Sequence, residues 1–202
     1  MIKFLSIISF SLLSQLLFAS DIILYELAPN EEKQLTNIGK KASEQVLQTL
    51  MKTMLADIKS TGLAQAAHGW SKSVNIINGI ADSYEIGMTI KRPTYQYRNP
   101  INKPDDIDKV ALDYFLSDKS EDALSFSRKF VEKNTKHYRY YQPIYVTQKC
   151  LLCHSSKISE DVKAVLKEKY PGDRSNNLKL GQLRALIRVE LPESAIAKVN
   201  NK

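Results

Sequence analysis

Residues 137–154 read HYRYYQPIYVTQKCLLCH, and this stretch is the strongest indication of the fold. Its first ten residues contain four tyrosines together with isoleucine and valine, residue types that favour β-structure. Residues 126–131 have a similar character and come shortly before it. The two segments predict a pair of neighbouring strands.

The chain before this pair has helical periodicity. Apolar residues recur every three or four positions over residues 35–58, which predicts an amphipathic helix of about eight turns ending near Thr61 and Gly62. A second helical stretch is predicted over residues 63–80, with Leu63, Trp70 and Val74 on one stripe.

The remaining segments predict short elements. We expect strands at residues 88–90, 94–97 and 183–191, helices at 107–116 and 159–169, and a proline-bearing loop at 98–105. The predicted fold class is α+β: an antiparallel sheet preceded by two N-terminal helices, one of them long.

Composition excludes several classes of protein. The 202 residues are 43% hydrophobic and 25% charged, which excludes a wholly disordered chain and a multi-span membrane protein. Lys and Arg number 29 against 22 acids, a net charge of +7, but the lysines are scattered and no five-residue basic block exists. We therefore expect no nucleic-acid partner. The oligomeric state is not set by the sequence, and a dimer stays open.

Residues 1–19 have the layout of a secretory signal peptide. Lys3 gives a positive start, an uncharged apolar run follows to Phe18, and the first acid is Asp21. The run is shorter than the roughly 20 residues of a spanning helix. We expect export to the periplasm with no membrane span after cleavage; an uncleaved anchor is the alternative. The predicted organisation is signal peptide 1–19, N-terminal helix 20–61 and a second unit 62–202.

Both cysteines of the chain lie in Cys150-Leu151-Leu152-Cys153-His154. C-x-x-C-H is the attachment signature of c-type haem. Two thiols at this spacing can form thioethers with the two vinyl groups of one porphyrin, and the adjacent imidazole then becomes the proximal iron ligand. The motif predicts one covalent haem c, and its attachment after export agrees with the signal peptide.

Three other interpretations of the motif stay open. A thioredoxin-like dithiol oxidoreductase also uses C-x-x-C, although the following His154 and the lack of a βαβ pattern count against it. Structural zinc would need four ligands, and only His68 and His137 remain. A disulfide between Cys150 and Cys153 would close too short a loop to stabilise much.

Further motifs resemble a known family. His137-Tyr138-Arg139-Tyr140-Tyr141 and the residues to Val146 precede the C-x-x-C-H, and Tyr170-Pro171-Gly172-Asp173 and Gly181-Gln182-Leu183-Arg184 follow it. Upstream, Arg92 and then RNPINKPD at residues 98–105 complete the pattern. This arrangement resembles a family of single-haem c-type proteins whose domain was long catalogued as of unknown function.

The resemblance covers roughly residues 62–192 and implies a PAS-like antiparallel sheet that binds one covalent haem. It also implies a role in redox or gas sensing or in electron transfer, with a redox partner protein or a diatomic gas as the partner. The chain departs from the family at Gln182 and Ala185, where the family often has Asp and Gly.

The family often uses a cysteine as the second axial ligand, and this chain has no third cysteine. His68 is the candidate we name; an iron that is vacant at this position, or bound by Met54 or Met88, is the alternative. Arg92, Arg98 and Arg184 are candidates for binding the haem propionates, since guanidinium groups suit carboxylates. Each could instead pair with Asp105, Asp106 or Asp173. We expect no enzymatic turnover, the one exception being a peroxidase-like pairing of His68 with Arg92.

Overall fold

The computed structural model describes residues 23–117, 123–132 and 134–197. The predicted signal peptide, residues 1–19, lies outside these ranges. Within them, strands form one antiparallel sheet in the order β1-β3-β4-β5-β2. The strands are β1 (Ile23–Tyr25), β2 (Thr89–Lys91), β3 (Phe126–Glu132), β4 (Thr135–Tyr145) and β5 (Leu183–Pro192).

A long helix precedes most of the sheet, and shorter helices connect the strands. The helices are α1 (Pro29–Thr61), α2 (Leu63–Gly69), α3 (Ser73–Asp82), α4 (Asp106–Leu116), α5 (Gln148–His154), α6 (Glu160–Lys169) and α7 (Glu193–Ala197). In the part of the chain that the structure describes, no helix is both long and apolar enough to cross a membrane. The predicted α+β class, with two helices before an antiparallel sheet, is confirmed.

The sheet separates two packed layers because side chains alternate between its faces along each strand. On one face, Tyr138 and Tyr140 of β4 pack in a core with α1, α3 and the alternate residues of β5. On the other face, Tyr141 and Leu186 pack against α4. The tyrosine-rich strand predicted from the sequence is thus the centre of the fold, with β3 and β5 on its two sides.

Helix α1 lies very close to this strand at Gly39. The buried residues of α1 recur at helical spacing: Leu35, Gly39, Ala42, Ser43, Val46 and Leu50. A Cβ atom on Gly39 would overlap the ring of Tyr140. Only glycine therefore lets the backbone of α1 approach the sheet this closely.

Buried charges on the opposite face are paired. Asp108 of α4 is completely buried. Arg188 Nη1 lies 3.3 Å from Asp108 Oδ2, and Arg139 Nη1 lies 2.8 Å from Asp105 Oδ1. Arg139 Nε also lies 2.7 Å from Glu190 Oε2. Such groups are tolerated in a core because each charge has a close partner of opposite sign.

Several sequence-based boundaries differ from the structure. The predicted strand at residues 94–97 is wrong: Pro93 accepts a 3.0 Å hydrogen bond from Leu186 N, and Thr94 N then donates to Asn102 O within the loop, at 3.1 Å. Residues 70–72 form a 3-10 turn that interrupts the predicted helix 63–80 after Gly69, a residue of low helix propensity. Strand β1, ahead of the N-terminal helix, was not predicted.

We expect Gly39→Ala to lower the free energy of unfolding by about 1–3 kcal/mol, because the added methyl group overpacks the contact with Tyr140. Urea denaturation measures this. Gly79→Ala is the matched control: Gly79 is helical and exposed, with nothing within 4 Å of its Cβ position. This control should gain about 0.5–1 kcal/mol. Equal stability of Gly39→Ala and the unmodified protein would contradict the close approach of α1.

Candidate functional site

The C-x-x-C-H residues lie on α5, directly after the central strand. Strand β4 ends at Tyr145, and Thr147 is the N-cap residue of α5. Cys150 Sγ accepts a hydrogen bond from Thr147 N at 3.4 Å. Both thiols are free, and both line the same cavity as His154. One short helix therefore presents two thiols and an imidazole to a single space.

The imidazole of His154 is oriented by the chain after α6. Its Nδ1 lies 2.7 Å from the carbonyl oxygen of Ser175, which can only accept a hydrogen bond. Nδ1 therefore carries the proton, and the lone pair of Nε2 is left free for a metal. Burial, together with the charges of Arg184 and Arg98, holds the pKa of His154 well below its usual range. The ring is thus neutral, the form that binds metals.

The cavity beside α5 is mainly apolar and opens to solvent. Its volume is about 190 Å³. The long helix α1 contributes five positions to its wall, namely Leu47, Leu50, Met51, Met54 and Ile58. Helix α2 and the 3-10 turn after it add Leu63, Ala66, Ala67 and Trp70.

Three arginines line the same cavity, and they are not equally neutralised. Arg98 Nε lies 3.0 Å from Asp173 Oδ2, and its Nη2 donates to the Cys153 carbonyl oxygen at 2.6 Å. Arg184 Nη1 donates to the Gln96 carbonyl at 3.2 Å, without a carboxylate partner among the described residues.

Arg92 is the least satisfied of the three. Its Nη2 makes a 3.4 Å hydrogen bond to Ser73 Oγ, while its buried Nε has no hydrogen-bond partner in the described part of the chain. The expected alternative, pairing with a nearby Asp, therefore holds for Arg98 and not for Arg92 or Arg184.

The charges of two of these arginines affect the pKa of the third. Burial, and next the charges of Arg92 and Arg98, lower the pKa of Arg184 from its ordinary value to about 10. Burial likewise lowers the pKa of Arg92. Keeping these arginines charged away from water costs free energy. An anionic ligand beside them would lower that free-energy cost, so the site suits an anion. The cavity could thus hold carboxylate groups at its arginine side and a ring system against α1 and α2.

His68 does not line this cavity, although it was the expected second axial ligand of the iron. The same position also separates it from Arg92, its expected partner in a peroxidase-like role. Ala66 and Ala67 are buried and line the cavity, whereas His68 follows them around the helix and is exposed. Met54 lines the cavity, but Met88 is buried in the core between the helices and the sheet. His137 lies in β4 outside the cavity, with Nδ1 3.0 Å from Glu190 Oε1.

Several cavity residues were not found from the sequence. Ser175 contacts His154 Nδ1 through its backbone carbonyl and also through its hydroxyl, at 3.0 Å, but a lone loop serine gives no sequence signal. Met51, Lys149, Asn99 and Tyr170 also line the cavity. Asn99 and Tyr170 lie in the family-like motifs and Met51 lies beside the helical stripe of α1, whereas no pattern indicated Lys149. In the described ranges, no group of three or more His, Cys, Asp or Glu is arranged to hold a metal ion, so the zinc alternative has no ligand set there.

We expect Arg184→Gln to stabilise the ligand-free protein by about 1 kcal/mol, because it removes one of three neighbouring, partly buried cations. Urea denaturation of protein without a bound anion measures the change. Arg174→Gln is the control: this exposed arginine contacts Tyr97 at 5.2 Å outside the cavity and should change stability by less than about 0.5 kcal/mol. A clear loss of stability in Arg184→Gln would contradict the expected repulsion between Arg184 and the two neighbouring arginines.

Comparison with known proteins agrees with this architecture. The Tll0287-like family model matches residues 28–192. Among solved structures, the chain is similar to the cyanobacterial heme-protein Tll0287, with a TM-score of 0.56 and 24% identity over 83% of this chain and 98% of that one. No curated protein matches the chain. The family match includes the long helix, four of the five described strands and the cysteine motif, so the chain belongs to the Tll0287-like family.

Proposed function

We propose that this protein is an exported c-type haem protein with a redox role, either in electron transfer or in sensing of redox state or a diatomic gas. A single haem would be attached through Cys150 and Cys153, with His154 as the proximal ligand. The observation that carries the proposal is the His154 imidazole, whose Nδ1 proton is held by Ser175 while its Nε2 is free beside two free thiols.

The lining of the cavity fits this cofactor in its chemistry. A haem has an apolar ring and two carboxylates at one edge, and the cavity has apolar helical walls with arginines at one side. Arg92 and Arg184 have no carboxylate partner among the described residues, and Arg92 Nε has no hydrogen-bond partner there. We propose these two, with Arg98, as the residues that bind the propionates.

The protein's own groups would set the properties of the bound iron. Haem iron supplies a one-electron couple, and its potential responds to axial ligation, hydrogen bonding and burial. The Ser175 carbonyl orients His154 and raises its basicity as a ligand. The apolar residues of α1 and α2 exclude water from one side of the cavity.

The solved relative supports the same proposal, since it is described as a heme-protein. We also propose, as expected from residues 1–19, that the chain is exported to the periplasm and that it acts with a redox partner protein or a gas ligand rather than as an enzyme. A peroxidase-like role would need a distal base, and His68 is exposed outside the cavity.

A dithiol oxidoreductase is the weaker alternative. Such enzymes use a cysteine whose pKa is lowered, because the thiolate is the nucleophile. Burial raises the pKa of Cys153, the second thiol of the pair, which is equally compatible with such an enzyme because its first cysteine is the nucleophile. The fold counts against this alternative, since the described strands form one antiparallel sheet rather than the βαβ units typical of thioredoxin-like enzymes.

The two redox roles differ at the sixth position of the iron. A six-coordinate iron suits electron transfer, whereas an open position binds carbon monoxide, oxygen or nitric oxide. The absorption spectrum of the reduced protein with and without carbon monoxide separates the two roles.

We expect Cys150→Ala with Cys153→Ala to abolish covalent haem. Haem staining after denaturing electrophoresis should be positive for the unmodified protein and negative for the double variant. The control is Met88→Leu, a conservative change in the core outside the cavity, which should stain normally. Staining retained in the double variant, or absent from the unmodified exported protein, would overturn the proposed attachment.

A further inference from the structure

We infer that the thioether of Met54 is the second axial ligand of the haem iron, on the side opposite His154. This inference rests on the proposed function, since it requires a haem in the cavity. It assigns a metal-binding role to the long helix α1, which is otherwise a packing element.

The cavity has two separate walls that could hold axial ligands. Helix α5 carries Cys150, Cys153 and His154 on one wall. Helix α1 packs on α2, α3, β4 and β5 and lines the cavity from its own side. Helix α2 packs beside α5, since Ala67 and Leu63 lie in one cluster with Cys153. A porphyrin bound to α5 through its thioethers and His154 would therefore present its other face to the residues of α1.

Few side chains on that second wall can bind iron. The lining residues of α2 and the 3-10 turn are apolar, namely Leu63, Ala66, Ala67 and Trp70. On α1 the lining residues are leucine, isoleucine and two methionines, Met51 and Met54. The thioether sulfur of methionine is an established axial ligand of haem iron in c-type proteins. The histidine that could compete, His68, is exposed outside the cavity.

Helical geometry favours Met54 over Met51. At about 100° per residue, the cavity-lining positions of α1 from 47 to 58 span an arc of about 100°. Met54 lies about 10° from the middle of this arc, whereas Met51 lies about 50° away, at its edge. The thioether of Met54 is thus the one that faces the cavity most directly.

This ligation would determine the redox role. A methionine ligand raises the reduction potential of a histidine-bound haem and occupies the position that a gas would need. The inference therefore favours electron transfer among the two proposed roles. A gas could bind only after Met54 had left the iron.

The test compares Met54→Leu with Met51→Leu, since leucine keeps a similar volume and removes the sulfur. Three properties of the haem-loaded proteins are measured: the weak red absorption band of a sulfur–ferric iron bond, the reduction potential, and carbon monoxide binding to the ferrous protein. We expect Met54→Leu to lose the band, to have a lower potential, and to bind carbon monoxide on the order of tenfold more tightly. Met51→Leu, at the edge of the same wall, should keep the sulfur band, and Met88→Leu, in the core outside the cavity, should keep all three properties of the unmodified protein.

Met54→His is the rescue variant: it should restore a six-coordinate iron that resists carbon monoxide, without the sulfur band. Absence of the sulfur band from the unmodified protein, or its loss in Met51→Leu rather than in Met54→Leu, would overturn the inference. The haem content of each protein is measured in parallel. Unmodified protein without covalent haem would overturn the proposed function itself, whereas normal haem content with no effect of Met54→Leu overturns only the ligand assignment.

Discussion

Helix α1 packs closely on strand β4 at Gly39, and this contact fixes where the long helix lies against the sheet. The ring of Tyr140 occupies the space that any other side chain at position 39 would need, so the helix lies directly on the sheet. The same helix continues unbroken to Thr61, and its second half lines the cavity through Met51, Met54 and Ile58. The position of this side of the cavity therefore depends on a contact in the hydrophobic core.

Charge is distributed very differently on the two faces of the sheet. On the α4 face, Arg139 and Arg188 each lie within hydrogen-bonding distance of a carboxylate, although Arg188 Nε has no hydrogen-bond partner among the described residues. On the cavity face, the hydrogen bonds of Arg92 and Arg184 within the described chain go to a hydroxyl and a carbonyl oxygen. The first two cations are thus neutralised by the protein's own carboxylates, whereas the second two are not. This difference is the electrostatic basis for an anionic cofactor in the cavity.

Local patterns predicted much of the fold and the attachment motif. The periodicity of α1, the aromatic strand β4 and the C-x-x-C-H signature each depend on neighbouring residues, and the structure has each of these where the sequence indicated. The Tll0287-like family match confirms the resemblance stated from the motifs. Features that depend on distant contacts were not predictable: the orientation of His154 requires the backbone of Ser175, and the exposure of His68 depends on how α2 packs. Strand propensity at residues 94–97 was overridden because Pro93 ends the pairing with β5.

Arg98 has a consequence for the order of folding. It joins Cys153, 55 residues away, to Asp173, 75 residues away, so its contacts can form only after long loops have closed. Contacts of such separation slow folding. Helix α5 has only seven residues, and helices this short need tertiary packing to be stable. We therefore expect the segment that carries the two thiols to become ordered only when the cationic wall beside it forms, late in folding. The cysteines would thus stay accessible on a partly folded chain until the cavity closes around them.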